Sequence, residues 1–246
     1  MNILVCISSV PDTTSKISFS DSDTKFVSAG ITYIIGPYDD YALARAVELK
    51  ESSGTGNITV LHVGEIDSEP VIRKALAIGA DVAVRVNSTA KDGFFVAAQI
   101  AAYAKDKKFD LILMGRESID YNSGLVHGLV GELLSIRSIS PVMKLTIDGN
   151  QATLDREIEG GKETIQADLP LVLGCQEPIS EWKIPSMRGI MSARTKPLTV
   201  IEPVQYSSGL SFEKYEMPAA RTGCKMISDS NVGELVSLLK SEAKVI

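Results

Sequence analysis

The segment REIEGGKETIQADLPLVLGC, residues 156–175, joins a charged diglycine hairpin to a proline-led apolar strand. The turn at residues 159–161 offers glycines that adopt a positive φ without strain, and residues 162–167 form the predicted returning strand. Pro170 then opens the apolar run 171–173, because proline is tolerated at the start of a strand. The segment therefore predicts a hairpin that feeds a core strand, a geometry that an ordinary α/β hairpin also satisfies.

Upstream of this segment, apolar runs alternate with helical patterns. Strands are predicted at 3–7, 58–63, 82–86 and 111–114, and helices at about 40–50, 70–78, 94–107 and 123–134. Near-continuous apolar strands joined by helices indicate a parallel sheet that is covered on both faces. Ligands of such sheets bind beyond the carboxyl ends of the strands, where the strand order switches. We expect four loops at that edge: 8–13, 36–39, 64–67 and 115–123.

Downstream, the sequence predicts a second hairpin, an irregular segment and a terminal helix. The hairpin strands 142–147 and 152–158 are joined by residues 148–150, Asp-Gly-Asn, which suit a positive φ. Residues 178–197 are too irregular for a helix and too apolar for a solvated linker. A helix is predicted over about 231–243, where Asn231 and Glu234 are spaced like a capping box. Its apolar stripe needs a surface to cover: Val232, Leu235, Val236 and Leu239.

Composition and charge restrict the class of protein. With 246 residues, of which 44% are hydrophobic, the chain can bury the core of one α/β domain with appendages. A net charge of −6 argues against nucleic acid binding, which depends on dense basic surface. The N-terminus lacks a signal-peptide pattern and no apolar stretch reaches spanning length, so we expect a cytoplasmic protein without membrane insertion.

The cysteines and histidines do not indicate catalysis or metal binding. Cys6, Cys175 and Cys224 are far apart and odd in number, so we expect reduced, mostly buried thiols and no zinc site. His62 and His127 have no partners at ligand spacing and are interpreted as packing residues.

The clearest local site candidate is GRESIDYNSG, residues 115–124, between a predicted strand and a predicted helix. Gly115 lets the chain leave the sheet sharply, and Asp120 can either accept a hydrogen bond from a ribose hydroxyl or order the loop. If Ser123 and Gly124 begin the helix, the backbone N–H groups of Gly124, Leu125 and Val126 form an anion site for a phosphate. Asp120 and Ser123 would equally serve as simple helix caps, and the motif alone does not decide between these readings.

Three motifs, in order along the chain, resemble those of bacterial-type electron transfer flavoprotein beta subunits. Residues 36–42, GPYDDYA, resemble the family's N-P-[Y/F]-D-E-x-A segment, and residues 115–120 resemble G-[R/K]-[Q/E]-[A/S]-I-D. Residues 156–173 resemble the hairpin signature that precedes L-P-x-V-[V/L]. The chain departs from the family at Ser8 and Ser9, which replace a basic residue, and at Tyr121 and Leu125.

The resemblance implies a Rossmann-like, three-layer α/β core of the adenine nucleotide alpha hydrolase type, with a β-hairpin extension and a C-terminal arm. Residues 1–200 would form the core and residues 201–246 an arm that wraps a partner subunit. It also implies FAD, held mostly by an alpha subunit, and AMP, with a second FAD as the alternative. Tyr38 would lie near the flavin, although the Pro-Tyr-Asp turn would equally cap a helix at Asp40. The implied cofactor-binding residues are Cys6, Gly36, Pro37, Tyr38, Asp39, Val63, Gly115, Asp120, Ser123, Gly124, Leu125 and Val126.

The segment 178–197 also carries the residue types that anchor protein interfaces, since Trp and Arg dominate hot spots and Met adapts to several partners. The resemblance implies a recognition loop here that docks acyl-CoA-type dehydrogenases, although a surface-packed connector remains an alternative. The residues concerned are Trp182, Met187, Arg188 and Met191. Arg156 and Glu157 match positions that steady a mobile flavin domain through charge contacts.

By this resemblance the chain is an electron carrier subunit rather than a catalyst. It would receive electrons from acyl-CoA and related dehydrogenases and pass them to a membrane quinone oxidoreductase. The alternative is a stand-alone ATP-binding or nucleotide-dependent protein of the same fold. The loop 8–13, SSVPDT, lacks two phosphate-cradling glycines that the pyrophosphatase branch of that fold uses, which argues against this alternative.

Overall fold

The computed structural model describes residues 1–207, 209–220 and 223–246. The chain forms two compact units, Met1–Ser18 with Val27–Phe212, and Phe19–Phe26 with Glu213–Ile246. The first unit extends past residue 200, and the second includes an early segment that the sequence did not single out. That the second unit wraps a partner stays a prediction.

Within the described residues, nine strands of the first unit form one sheet. The strands are β1 Asn2–Cys6, β6 Asn57–Gly64, β7 Val82–Asn87, β8 Leu111–Gly115, β9 Arg137–Asp148, β10 Gln151–Ile158, β11 Gly161–Asp168, β12 Leu171–Cys175 and β13 Leu198–Ile201. Their order across the sheet is β11-β10-β9-β12-β8-β1-β6-β7-β13. The pairs β9–β10 and β10–β11 are antiparallel, and all other neighbours, including β9 and β12, pair in parallel. Two further antiparallel pairs form two-stranded sheets of their own: β2 Ser9–Pro11 with β5 Tyr33–Ile35, and, in the second unit, β3 Phe19–Ser20 with β4 Lys25–Phe26.

Both faces of the sheet are covered. The helices are α1 Pro37–Ser53, α2 Glu69–Ile78, α3 Gly93–Ala104, α4 Val126–Leu134, α5 Met187–Ala193 and, in the second unit, α6 Val232–Leu238. Ile3 and Val5 of β1 pack in the cluster that contains α1 and α2, whereas Leu4 and Cys6 pack in the cluster that contains α3 and α4. This alternation follows from the two-residue period of a strand. The predicted three-layer α/β fold is confirmed.

The strand order switches between β1 and β8. The chain runs from β1 outward through β6 and β7, then crosses back so that β8 and β12 lie on the other side of β1. The loops that leave the carboxyl ends of β1 and β8 therefore diverge, and such a switch point opens a crevice. We call the region formed by residues 8–13, 36–39 and 115–126 the crevice.

Both predicted hairpins are confirmed. Gly149 has a φ of 57° between β9 and β10, and Gly160 has a φ of 82° between β10 and β11. These left-handed conformations are the ones that glycine adopts without a Cβ penalty. Leu171–Cys175 is buried along its whole length, as the apolar run predicted.

The prediction that residues 178–197 contain no helix is wrong. Met187–Ala193 forms α5, and Ser186 caps it by accepting a hydrogen bond from the Gly189 N–H at 3.1 Å. Gly189 lies so close to the Ala77 carbonyl of α2 that an added Cβ would collide with that oxygen. The helix is therefore stabilised by a tertiary contact that local sequence does not reveal.

The terminal helix is only partly as predicted. A 3₁₀ turn, Asp229–Asn231, precedes α6, and a π-helical segment, Leu239–Ala243, follows it. Asn231 makes no capping hydrogen bond; instead its Nδ2 donates to Glu234 Oε2 at 2.8 Å. Val232, Leu235 and Val236 of the stripe are exposed. Among the described residues, no helix has the length and apolar character needed to cross a membrane.

Candidate functional site

Asp39 joins the two sides of the crevice. Its Oδ2 accepts from the Ser8 N–H at 2.8 Å and from Ser8 Oγ at 2.5 Å, and its Oδ1 accepts from the Gly115 N–H at 2.7 Å. The side chain is buried although it lies in the first turn of α1, so it does not cap the helix there. We call these three residues the Asp39 junction, because one carboxylate ties the loop after β1 to the end of β8.

Burial raises the pKa of Asp39 to about 6, against the hydrogen bonds from Ser8 and Gly115 that lower it. The negative charge of Asp40 adds a smaller upward shift. Burial also raises the pKa of the Cys6 thiol, and that of Cys175 to about 12, with Asp39 as the second cause in both. Both buried thiols therefore stay protonated and unreactive near neutral pH. Cys224 is exposed, so the prediction of mostly buried thiols holds for two of the three.

Two motif glycines permit the close approach of chain segments at the junction. A Cβ on Gly115 would lie 2.7 Å from the Tyr38 Cβ and 2.8 Å from Asp39 Oδ1. A Cβ on Gly36 would lie 2.5 Å from Asp39 Oδ2. The predicted residues Gly36, Asp39 and Gly115 are thus brought together, with Pro37 and Tyr38 between them in sequence.

The loop after β8 agrees with the prediction in part. Asp120 Oδ1 accepts from Ser118 Oγ and from the Tyr121 N–H, so Asp120 orders its own loop, which is one of its two predicted roles. The Gly124 N–H donates to the Asn122 carbonyl at 3.1 Å, and α4 begins at Val126 rather than Ser123. The predicted donor at Gly124 is therefore wrong, because the turn at Asn122, whose φ is positive, uses that N–H.

The first-turn N–H groups of α4 consequently belong to Val126, His127 and Gly128. Leu125 occupies the N-cap position without a side-chain capping bond, and neither Asp120 nor Ser123 caps the helix. An anion at this helix end would meet backbone donors two residues later in the chain than predicted.

The side chains of Cys6 and Val63 are buried in the cluster beneath α3 and α4. His62 Nδ1 lies 2.8 Å from the Ile7 carbonyl oxygen, and burial lowers the pKa of its ring. His127 is half-buried beside Ser138, and burial lowers its pKa too. Both histidines pack as predicted.

Arg116 and Gln176 were missed by sequence reasoning, although Arg116 stands inside the 115–124 motif. The Arg116 guanidinium lies 5.0 Å from the centroid of the Tyr38 ring, pairs with Glu117 at 3.0 Å and donates to Gln176 Oε1 at 2.9 Å. Gln176 Nε2 donates in turn to Glu157 Oε2 at 2.6 Å. Arg156, on the same strand as Glu157, pairs across the hairpin with Glu163 at 2.9 Å.

Three of the predicted docking residues lie on α5, and Trp182 lies in the segment before it. Trp182, Met187 and Met191 are 57%, 76% and 69% exposed, and Arg188 is exposed as well. Trp182, Met187 and Met191 are large exposed apolar side chains of the type that marks an interaction surface.

Two cationic side chains hold α5 against α2 by hydrogen bonds to backbone carbonyls. Arg73 of α2 donates to the carbonyls of Ala193 and Lys196, at 2.9 and 2.8 Å. Lys196 donates in turn to the carbonyls of Leu76 and Ala80, at 2.8 and 2.6 Å. Each cation satisfies carbonyls that are left without partners at a helix end. The exposed face of α5 is therefore presented by a fixed helix.

A doubly wound α/β protein with its candidate site at the switch point is the class that this fold and junction define. The sequence model described as "Electron transfer flavoprotein domain" matches residues 23–205. The electron transfer flavoprotein subunit beta of Bacillus subtilis is 37% identical over 260 residues and covers 100% of both chains. The protein of that name from Syntrophomonas wolfei is 33% identical, covering 100% of this chain and 98% of its own. The caffeyl-CoA reductase-Etf complex subunit CarD of Acetobacterium woodii is 29% identical, covering 99% and 98%. The chain therefore belongs to the electron transfer flavoprotein family, as a beta subunit.

Proposed function

We propose that the chain pairs with an alpha subunit that holds most of an FAD, and that it serves as the nucleotide-binding scaffold and docking surface of that heterodimer. Electrons would come from acyl-CoA and related dehydrogenases and pass to a membrane quinone oxidoreductase. The name of the Acetobacterium woodii relative, a subunit of a caffeyl-CoA reductase-Etf complex, supports a partner that acts on a CoA thioester.

The Asp39 junction is the observation that carries this proposal. A buried carboxylate with three hydrogen bonds is suited to hold two loops at a fixed separation. It is poorly suited to take part in chemistry, because it is buried and both of its oxygens already accept hydrogen bonds from the protein. The neighbouring thiols are protonated and the His62 ring is bonded to a backbone carbonyl, so the groups around the junction favour binding over catalysis.

The nucleotide that we propose for the crevice is AMP. The first turn of α4 supplies backbone donors for one phosphate, and Arg116 supplies a cation beside Tyr38. Ser8 provides no charge where the family often has a basic residue, which favours one phosphate over the two of a second FAD. The adenine would lie along residues 36–39, with the wall of the crevice completed by residues near Val63.

The docking role rests on α5. Met187 and Met191 are exposed on this helix. The helix is held against α2 by the hydrogen bond from Arg73 to the Ala193 carbonyl and by the close contact of Gly189 with the Ala77 carbonyl. Little conformational entropy of the backbone would therefore be lost when a partner binds. We propose that Met187 enters the partner dehydrogenase. Arg156 and Glu157 would contact the flavin domain as it moves between orientations.

The test is to purify the tagged chain from its native host, identify every nucleotide released on denaturation, and weigh the co-purifying chains. One FAD, one AMP and one larger partner would support the proposal. Release of two FAD molecules and no AMP would show that a second FAD occupies the site proposed for AMP. A colourless chain without a partner would contradict it and favour the stand-alone ATP-binding alternative.

A further inference from the structure

Gln176 makes two side-chain hydrogen bonds of opposite sense in a buried position. It follows β12 directly, its backbone N–H donates to the Val142 carbonyl at 3.0 Å, and its side chain is almost fully buried. Oε1 accepts from Arg116 at 2.9 Å, and Nε2 donates to Glu157 at 2.6 Å. A guanidinium only donates and an ionised carboxylate only accepts, so the orientation of this amide is fixed by its two neighbours.

The amide thus connects two regions of the first unit. Glu157 belongs to β10 of the hairpin, whereas Arg116 follows the last residue of β8 and lies over the Tyr38 ring at the crevice. Both of its bonds have one charged partner, and such bonds are stronger than neutral ones. A change in the position of Arg116 would leave Gln176 Oε1 without its donor and so alter the restraint on Glu157.

A nucleotide phosphate in the crevice would compete for the Arg116 guanidinium, because that group already divides its donors between Glu117 and Gln176. We propose that Gln176 is a positioning residue that couples occupancy of the crevice to the placement of Glu157 on the hairpin. The inference rests on the proposed AMP site and names a link between two regions that the proposed function treats separately. Coupling of this kind is reciprocal, so removal of Glu157 must change the affinity for AMP.

The test is a double-mutant cycle on the heterodimer, stripped of nucleotide and titrated with AMP. Glu157→Ala should strengthen AMP binding about 5-fold, the lower end of typical coupling between sites, because Gln176 is then less firmly placed to compete with the phosphate for Arg116. In a Gln176→Leu background the same Glu157→Ala change should alter the dissociation constant for AMP by less than about 1.5-fold, since the connection is already absent.

Glu163→Ala is the matched control, because it removes the same charge from the same hairpin but has its hydrogen bond with Arg156 instead. It should leave AMP affinity unchanged. If Gln176→Leu does not fold, Gln176→Glu serves in the cycle, since it keeps an acceptor for Arg116 and replaces the donor to Glu157 by an oxygen. Gln166→Glu, at an exposed position of β11, controls for the added charge.

An equal effect of Glu157→Ala with and without Gln176, or no effect in the parent heterodimer, would overturn the inference while the AMP site stands. Failure of AMP to bind the parent heterodimer at all would instead remove the proposed function, and the inference with it.

Discussion

The crevice and α5 are both held in place by charged side chains that hydrogen-bond to backbone groups, but they present different parts of the chain. At the crevice the buried group is an anion, Asp39, which holds two loops by their N–H groups. At α5 the corresponding groups are two half-buried cations, Arg73 and Lys196, which hold helix ends by their carbonyls. In the proposed function the crevice offers backbone donors to a ligand, whereas α5 offers exposed side chains. Substitution of a buried residue should therefore impair nucleotide binding at the crevice, and substitution of an exposed residue should impair docking at α5.

The largest effect is expected from Asp39→Ala. The N–H groups of Ser8 and Gly115 lose their shared acceptor, so the two loops are no longer tied together. The substitution also removes the cost of burying the Asp39 charge, which offsets part of the stability lost with its hydrogen bonds. The amount of bound nucleotide is therefore a better readout than the free energy of unfolding. We expect the AMP retained by the purified heterodimer to fall at least about 10-fold, equivalent to about 1.4 kcal/mol. Asp40→Ala, on the same helix turn, should change it by less than about 2-fold, and full AMP occupancy in Asp39→Ala would contradict the role of the junction.

The pH dependence of stability gives a second test of the crevice. The folded-state pKa of Asp39 is raised from 3.8 to about 6, so the folded state binds this proton more tightly than the unfolded state. Its contribution to stability is therefore complete below pH 3.8 and is lost as the pH rises through 6, by at most about 3 kcal/mol. The free energy of unfolding of the chain and of its Asp39→Asn variant should be measured by chemical denaturation at pH 4 to 7. The difference between the two values should fall by this amount as the pH rises. Parallel curves would show that Asp39 titrates normally.

Gly189→Ala tests the fixed position of α5. Its Cβ would collide with the Ala77 carbonyl, so the helix must move away from α2. We expect a loss of about 1–3 kcal/mol in the free energy of unfolding and slower electron transfer from the dehydrogenase, with FAD content unchanged. Gly233→Ala, in α6 with open space around it, should instead be neutral or stabilise by about 0.5–1 kcal/mol. Unchanged stability and unchanged electron transfer in the Gly189→Ala variant would show that α5 is not held by this contact.

Met187→Ala should have the smallest effect on stability, within about 0.5 kcal/mol, because the side chain is exposed. Its effect on docking should exceed about 1 kcal/mol, which raises the KM for the dehydrogenase about 5-fold. Met226→Ala, equally exposed but in the second unit, should not change the KM. Equal KM values for both variants would show that Met187 is not part of the docking surface.

The elements that could be predicted from the sequence are those with local signals. Glycines in the turns at 149 and 160 and the unbroken apolar run of β12 gave both hairpins and the core strand. Helix α5 could not be predicted, since its supports come from Arg73 and Ala77, more than a hundred residues earlier in the chain. The start of α4 was misplaced because the turn at Asn122 depends on backbone conformation that sequence pattern does not report.

The candidate site divides in the same way. The motif residues Gly36, Asp39 and Gly115 were identified through the resemblance, but the role of Asp39 depends on its contact with Ser8, which lies in a distant loop. Arg116 and Gln176 were not identified, because each is an ordinary polar residue until the fold brings them together.

The most direct test compares Asp39→Ala and Met187→Ala in the same heterodimer, with AMP content and the KM for the dehydrogenase measured for each. Separate roles for the crevice and α5 predict that Asp39→Ala loses AMP and keeps its KM, while Met187→Ala keeps AMP and raises its KM. Loss of both properties in both variants would contradict this separation and show that the two regions act as one site.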